Sequence, residues 1–399
     1  MLRKKVRVML GVAVTTIMLV GNVQAASERI VIAPDCLVKK LQTKYQILTK
    51  NNSFALLSVS DEGIAALMQA NRHRGQCGRF ADVTAEWQPS HTDAATFLKQ
   101  HITPKVSLTK ASIYQIRHQK EVNQLLAEIN TQAIWQNLTV LTRFSDRYAN
   151  SDEGVRAAAW LKSQIEALAE KNHRQDVVVE LVPTGNVYKQ PSVVMKLGHS
   201  MEPGVVIGAH MDTLSSQYSN KPGADDDGSG TVSVLEAARA LLSSGMQFKK
   251  PIYLVWYSAE EEGLVGSSYV VAAFKKRNIP VANVMQLDLT GYAYHNEPTI
   301  WLINDYVNQD LTAYMQALIE TYVKQPVKYT HCGYACSDHA TWTANGFASA
   351  MPTEAAFEHI DPYIHTSSDT MDSLSLAHMA DFSKLAVAFA VELAEPMTK

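Results

Sequence analysis

A chain of 399 residues, 46% hydrophobic and 19% charged, can bury one large core and still leave residues for a smaller appendage. Its formal net charge of -3 and its scattered Lys and Arg give no basic stripe, which excludes the electrostatic footprint of a nucleic-acid partner.

Arg3, Lys4, Lys5 and Arg7 precede an apolar run from Val8 to Val20, and Val23-Gln24-Ala25 closes it with small residues. This pattern reads as a signal peptide over residues 1–25, with a secreted, extracellular protein that has no stable membrane association once the signal is removed. A membrane-anchoring helix is the alternative, for which the stretch is short. An oxidising compartment favours disulfides, and the cysteines fall into an early and a late pair. Cys36 is therefore expected to bond Cys77, and Cys332 to bond Cys336, rather than all four thiolates sharing a metal.

Residues 26–105 hold short apolar runs such as Phe54 to Val59 and a turn at Gly75-Gln76-Cys77-Gly78, but no cluster of chemically active side chains. A polar joint around Pro104 follows. The region reads as a pro-segment ahead of a catalytic domain over 106–399. Apolar spacing predicts helix from about Ile113 to Leu141 and from Val155 to Leu168, then strands at Val177–Val182, Val193–Leu197, Val205–Ala209, Ile252–Tyr257, Val284–Leu289 and Thr299–Ile303. Helices are expected between them, at Val232–Leu242, Ser267–Lys276 and Leu311–Val323, with a last one at Ala377–Leu393. Ile252 to Tyr257 is apolar on both faces, as a central strand covered on each side must be. The pattern is that of an α/β sandwich.

Acids and imidazoles gather at the predicted strand ends, where open α/β sheets bind their ligands. His210 and Asp212 point the same way on an extended chain, so Asp212 can hold the second ring nitrogen of His210. Asp225, Asp226 and Asp227 repel one another unless a cation joins them, although a solvated acidic helix cap has the same composition. Glu260, Glu261 and Glu262 follow the most apolar strand, and neighbouring carboxylates there splay apart, one toward a metal and the next toward a water. Asp288 sits within an apolar run, a costly place for an unpaired acid. His365 lies in a loop before the final helix.

The ordered segments HMDT, PGADDDGSG, SAEEEGLVGS, QLDLTGY, CGYACSDH and IHTSSDT closely resemble the secreted leucyl aminopeptidases of bacteria that carry a co-catalytic zinc pair. The resemblance spans roughly Ile113 to Leu393. It implies a three-layer α/β/α sandwich of the zinc-dependent exopeptidase type with a mixed central sheet, and a metallo-aminopeptidase holding two Zn2+ per chain. His210, Asp226 and Asp288 would bind one ion and Asp226, Glu261 and His365 the other, Asp226 bridging. Glu260 would be the general base and Asp212 would stand behind His210. The peptide bond after the bridging aspartate tends to be cis in that family, here Asp226-Asp227. Leu289, Leu302, Tyr334, Met351, Phe357, Ile360 and Ile364 map to the walls of an apolar pocket that takes leucine-like side chains. Peptides with a free N-terminus are the expected substrates, and a monomer the expected state.

Overall fold

The computed structural model describes residues 28–71, 77–102 and 114–397. The expected signal peptide and the joint around Pro104 lie outside these residues.

The N-terminal unit is an antiparallel sheet in the order Tyr45–Lys50, Phe54–Val59, Arg29–Pro34, Ala81–Asp82. Phe54–Val59 lies inside it, and alternation of side chains across a strand explains why its run is apolar throughout. Ala55, Leu57 and Val59 pack with Ile64 and Leu67 of the helix Asp61–Asn71. Leu56 faces the other way, onto Phe97 and Leu98 of the helix Ala94–Ile102. A small sheet is thereby covered on both faces and owns its core.

The large sheet has six strands in the order Ala348–Ala350, Val281–Gln286, Gly204–His210, Ile252–Tyr257, Ser192–Leu197, Val177–Val182. The first four run parallel, Ser192–Leu197 runs antiparallel to Ile252–Tyr257, and Val177–Val182 runs antiparallel to Ser192–Leu197, which makes it a mixed sheet. Its two faces bury different side chains of the same strands. Ile207, Leu254, Trp256 and Met285 pack with Leu235 and Leu241 of the helix Gly230–Ser243 and Phe389 of the helix Leu376–Ala394. Val206, Val255, Tyr257 and Val284 face Val270 and Phe274 of the helix Val265–Lys276, together with Trp342. Leu254 is fully buried, so truncating it to Ala would cost about 2–5 kcal/mol. The expected α/β/α layering is present.

Three elements depart from the sequence reading. The predicted helical stretch from Ile113 to Leu141 is two helices, Gln119–Leu126 and Thr131–Leu141, because the Asn130 side chain accepts the Ala133 N–H and starts a new one. The strand expected to reach Leu289 ends at Gln286, and Leu289 takes a left-handed φ of 61°. Asp288 therefore stands on the loop beyond the strand. Finally, Ile300–Ile303 joins a separate sheet, parallel to Val327–Thr330 and antiparallel to Pro352–Thr353.

Candidate active site

Three parallel strands deliver the chemistry at their C-terminal ends. His210 closes Gly204–His210, Glu260 and Glu261 follow Ile252–Tyr257, and Asp288 follows Val281–Gln286. Asp226 comes from the turn that feeds the helix Gly230–Ser243, and the peptide bond Asp226-Asp227 is cis, as the resemblance implied. His365 arrives on the loop ahead of the last helix. Ala259, Leu289 and His365, on three of these loops, hold positive φ without being glycine, a backbone conformation that costs energy and gathers at functional sites.

The Asp226 carboxylate is divided between two imidazoles. Oδ1 lies 3.0 Å from His210 Nε2 and Oδ2 3.0 Å from His365 Nε2. Asp288 Oδ1 is 3.7 Å from the same His210 nitrogen, and Glu261 Oε2 is 3.0 Å from the same His365 nitrogen. Yet His365 Nε2 makes no hydrogen bond to either acid: the donor atoms converge on a common point instead of on each other. A set of imidazole nitrogens and carboxylate oxygens so arranged suits zinc.

Proximity alone would group Asp227, not Asp226, with His210 and Asp288. The hydrogen bonds argue otherwise. Asp227 Oδ2 accepts the backbone N–H of His210 at 3.1 Å, and Oδ1 accepts that of Gly230 at 2.9 Å, so both its oxygens are already used in holding the turn. Asp225 Oδ1 accepts the Gly291 N–H at 3.0 Å, which turns that carboxyl toward the Gly291 loop.

Burial and neighbouring charge drive the two adjacent glutamates apart. Burial raises the Glu260 carboxyl well above its ordinary range, with Arg79 and His210 pulling back only in part. Against the same burial, His365 and Arg79 hold Glu261 below its ordinary range. His365 is itself pushed down by burial, but Glu261 and Asp226 more than reverse this and raise it to about 10. Glu262 points elsewhere: buried and raised to about 7, it accepts the Tyr188 hydroxyl at 2.9 Å.

Asp212 does more than the sequence suggested. Its oxygens accept the backbone N–H groups of Glu260 and Glu261, at 3.0 and 3.2 Å, while His210 Nδ1 stands 3.5 Å away. It therefore orders the glutamate turn, with the imidazole beside it. Asp369 does the same for the aspartate turn, accepting from the N–H of Asp225 at 2.7 Å and of Asp226 at 3.1 Å. Asp369 belongs to the IHTSSDT segment and could have been marked from it. Arg147 could not: it is a lone basic residue, fully buried, whose guanidinium donates to the carbonyls of Met211, Pro222 and Gly223 and so ties the His210 strand to the aspartate turn.

Cys332 and Cys336 are bonded, with Cα atoms 6.1 Å apart. Asp305 accepts the N–H groups of Cys332 and Gly333, at 3.0 and 2.7 Å, which seats the loop carrying Tyr334. The expected Cys36–Cys77 bridge is not made. Both are thiols, and Cys36 Sγ lies 3.7 Å from the Cys77 carbonyl oxygen, donating to it in place of bonding the other sulfur.

Of the expected pocket residues, Tyr334 and Phe357 meet edge to face with ring centroids 5.9 Å apart, Leu289 and Ile364 are buried, and Ile360 is half-buried. Leu302 and Met351 are placed differently. The alternation of Ile300–Ile303 turns Leu302 into the main core beside Ile300, and Met351 packs with Ile303 and Val307.

Residues 192–390 match peptidase family M28. Leucine aminopeptidase 1 of Penicillium rubens is 36% identical over 327 residues, which cover 79% of this chain and 83% of that protein. The chain belongs to peptidase family M28. Among solved structures, the LapA aminopeptidase of Legionella pneumophila is 44% identical to this M28 chain with a TM-score of 0.83, covering 93% of this chain and 99% of LapA. LapB from the same organism is 39% identical with a TM-score of 0.85, covering 92% and 100%. Likeness over so large a share of the M28 chain is too long to omit its N-terminal unit. Family and relatives together make it a metallo-aminopeptidase.

Proposed function

We propose that the chain removes N-terminal leucine or another apolar residue from peptides, using two zinc ions. His210, Asp288 and Asp226 would hold one ion, and Asp226, Glu261 and His365 the other. The observation that carries this reading is the Asp226 carboxylate, with one oxygen turned to each imidazole at 3.0 Å. When bound, zinc would polarise the scissile carbonyl and make water a stronger nucleophile.

The chain's own part is to position groups and move a proton. Glu260 takes the proton from the attacking water on a carboxylate oxygen and returns it to the nitrogen of the leaving amine, a contribution of roughly 10²–10⁴ in rate. Asp212 fixes Glu260 and Glu261 through their backbones. Leu289, Tyr334, Phe357, Ile360 and Ile364 would form the apolar walls for the departing residue's side chain.

The basic and apolar start of the sequence supports export by a signal peptide over residues 1–25. Residues 26–105 would be a pro-segment, removed to leave the catalytic domain over 106–399, and the mature enzyme would work outside the cell as a monomer. Zinc content per chain, measured beside hydrolysis of leucyl and N-acetyl-leucyl anilides before and after limited proteolysis, tests the reading. Two zinc ions and hydrolysis of the unblocked anilide alone are expected. Cleavage of the blocked anilide at an equal rate would sink it.

A further inference from the structure

Arg79 reaches from the N-terminal unit into the cluster just described. Its Nη1 lies 3.3 Å from both carboxylate oxygens of Glu260, and its Nη2 bonds Glu261 Oε2 and stands 3.4 Å from the Glu261 carbonyl oxygen. Glu261 Oε2 is the same atom that faces His365 Nε2. One guanidinium thus covers the oxygens of the expected base and an oxygen of the expected second metal site.

The chain on each side of Arg79 is fixed to the catalytic domain. Gly78, with φ +71°, passes so close to the Tyr334 ring that a Cβ there would lie 3.0 Å from it. Beyond Arg79, the Phe80 ring lies on Gly263, where a Cβ would meet it at 2.8 Å, and the Asp82 N–H donates to the Gly263 carbonyl at 2.7 Å. Asp82 is paired with the buried Arg29, whose Nη1 donates to Tyr188 at 3.2 Å, and Tyr188 in turn donates to Glu262. The strap is anchored to the very turn that carries Glu260 and Glu261.

We propose that Arg79 is an internal inhibitory group, which keeps the unprocessed chain inactive by occupying Glu260 and Glu261 in place of the second metal ion and the substrate. The proposal rests on the roles given to those two residues above. A guanidinium and a divalent cation repel each other and compete for the same Glu261 oxygen, so seating one weakens the other. While Nη1 is bound to Glu260, that carboxylate is engaged by a fixed cation and is not open to water. Arginine stays charged at any working pH, so its own titration does not release it. Release requires that the Gly78–Asp82 strap leave, which cleavage after the N-terminal unit permits.

The test uses the full chain, with Arg79→Met beside wild type. Zinc affinity is read by competition with a chromogenic chelator, and turnover with leucyl anilide. Arg79→Met should bind its second zinc roughly tenfold or more tightly, since a charge-assisted pair no longer competes, and should hydrolyse the anilide faster. Arg79→Lys, with a single point charge in place of a fork, should fall between. Equal zinc affinity and equal turnover in Arg79→Met and wild type would overturn the proposal. Tighter zinc without hydrolysis by either protein upholds the plug and overturns the aminopeptidase reading instead. If Arg79→Met does not fold, Phe80→Ala loosens the same strap with the charge retained; it must raise zinc affinity, and unchanged affinity counts against the proposal.

Discussion

Asp212 Oδ1 accepts the backbone N–H of Glu260 at 3.0 Å, across 48 residues of sequence. Its partner oxygen serves Glu261, so one buried carboxylate sets the direction of both glutamates. Asp212→Ala leaves two buried N–H groups unpaired and frees the turn. Activity should fall about 10- to 100-fold, with the protein still folded by circular dichroism and the loss shared between turnover and zinc affinity. Unchanged values for both would mean that the strand alone positions the pair.

Adjacent glutamates are assigned different work, and isosteric substitution separates them. Glu260→Gln removes the proton acceptor but no metal ligand, so kcat should drop roughly 10²- to 10⁴-fold with two zinc ions retained. Glu261→Gln should lose zinc at the His365 side, and excess zinc should restore part of the activity. If Glu260→Gln were the variant short of metal, the two roles would be exchanged.

Chelation should be a reversible loss. Imidazole and carboxylate ligands bind zinc in their deprotonated forms, so removal by a chelator should be easier at acid pH. Readdition of zinc should return activity in two phases, one for each site. A protein fully active after exhaustive dialysis against chelator, with no zinc by atomic absorption, would exclude the metal centre.

The Cys332–Cys336 bridge closes a loop that Asp305 also holds through two backbone N–H groups. Replacing both cysteines with Ser should therefore cost at most about 2 kcal/mol by loss of chain constraint. The larger effect should be on KM for apolar residues, because Tyr334 rides on this loop. Comparable KM values for leucyl and alanyl anilides, before and after the substitutions, would separate Tyr334 from the pocket.

Much of the fold was legible because burial on both faces leaves continuous apolar runs, as at Ile252–Tyr257. The strand ending at Gln286 was overextended for the same reason: Leu287 and Leu289 are buried beyond the strand, and composition does not record where hydrogen bonding stops. The site residues were legible as types, but their division of labour was not. Asp225, Asp226 and Asp227 are chemically alike, and what distinguishes them is backbone donors from His210, Gly230 and Gly291. Family resemblance selected Asp226 where residue chemistry left three candidates. Arg79 carried no signal at all: it has no motif and acts on residues 181 and 182 positions away. Leu302 misled because an apolar strand residue looks alike whether it lines a pocket or the core.

The four-stranded sheet and both its apolar clusters draw only on residues up to Ile102, whereas the first strand of the six-stranded sheet begins at Val177. A chain exported from its N-terminus first can finish the small unit on the far side of the membrane before any strand of the large one has emerged. Order of birth then does what regulation would otherwise have to do. On the proposal that Arg79 covers Glu260 and Glu261, those residues and His365 would come together with the strap already folded nearby, and no interval would arise in which the site stands open.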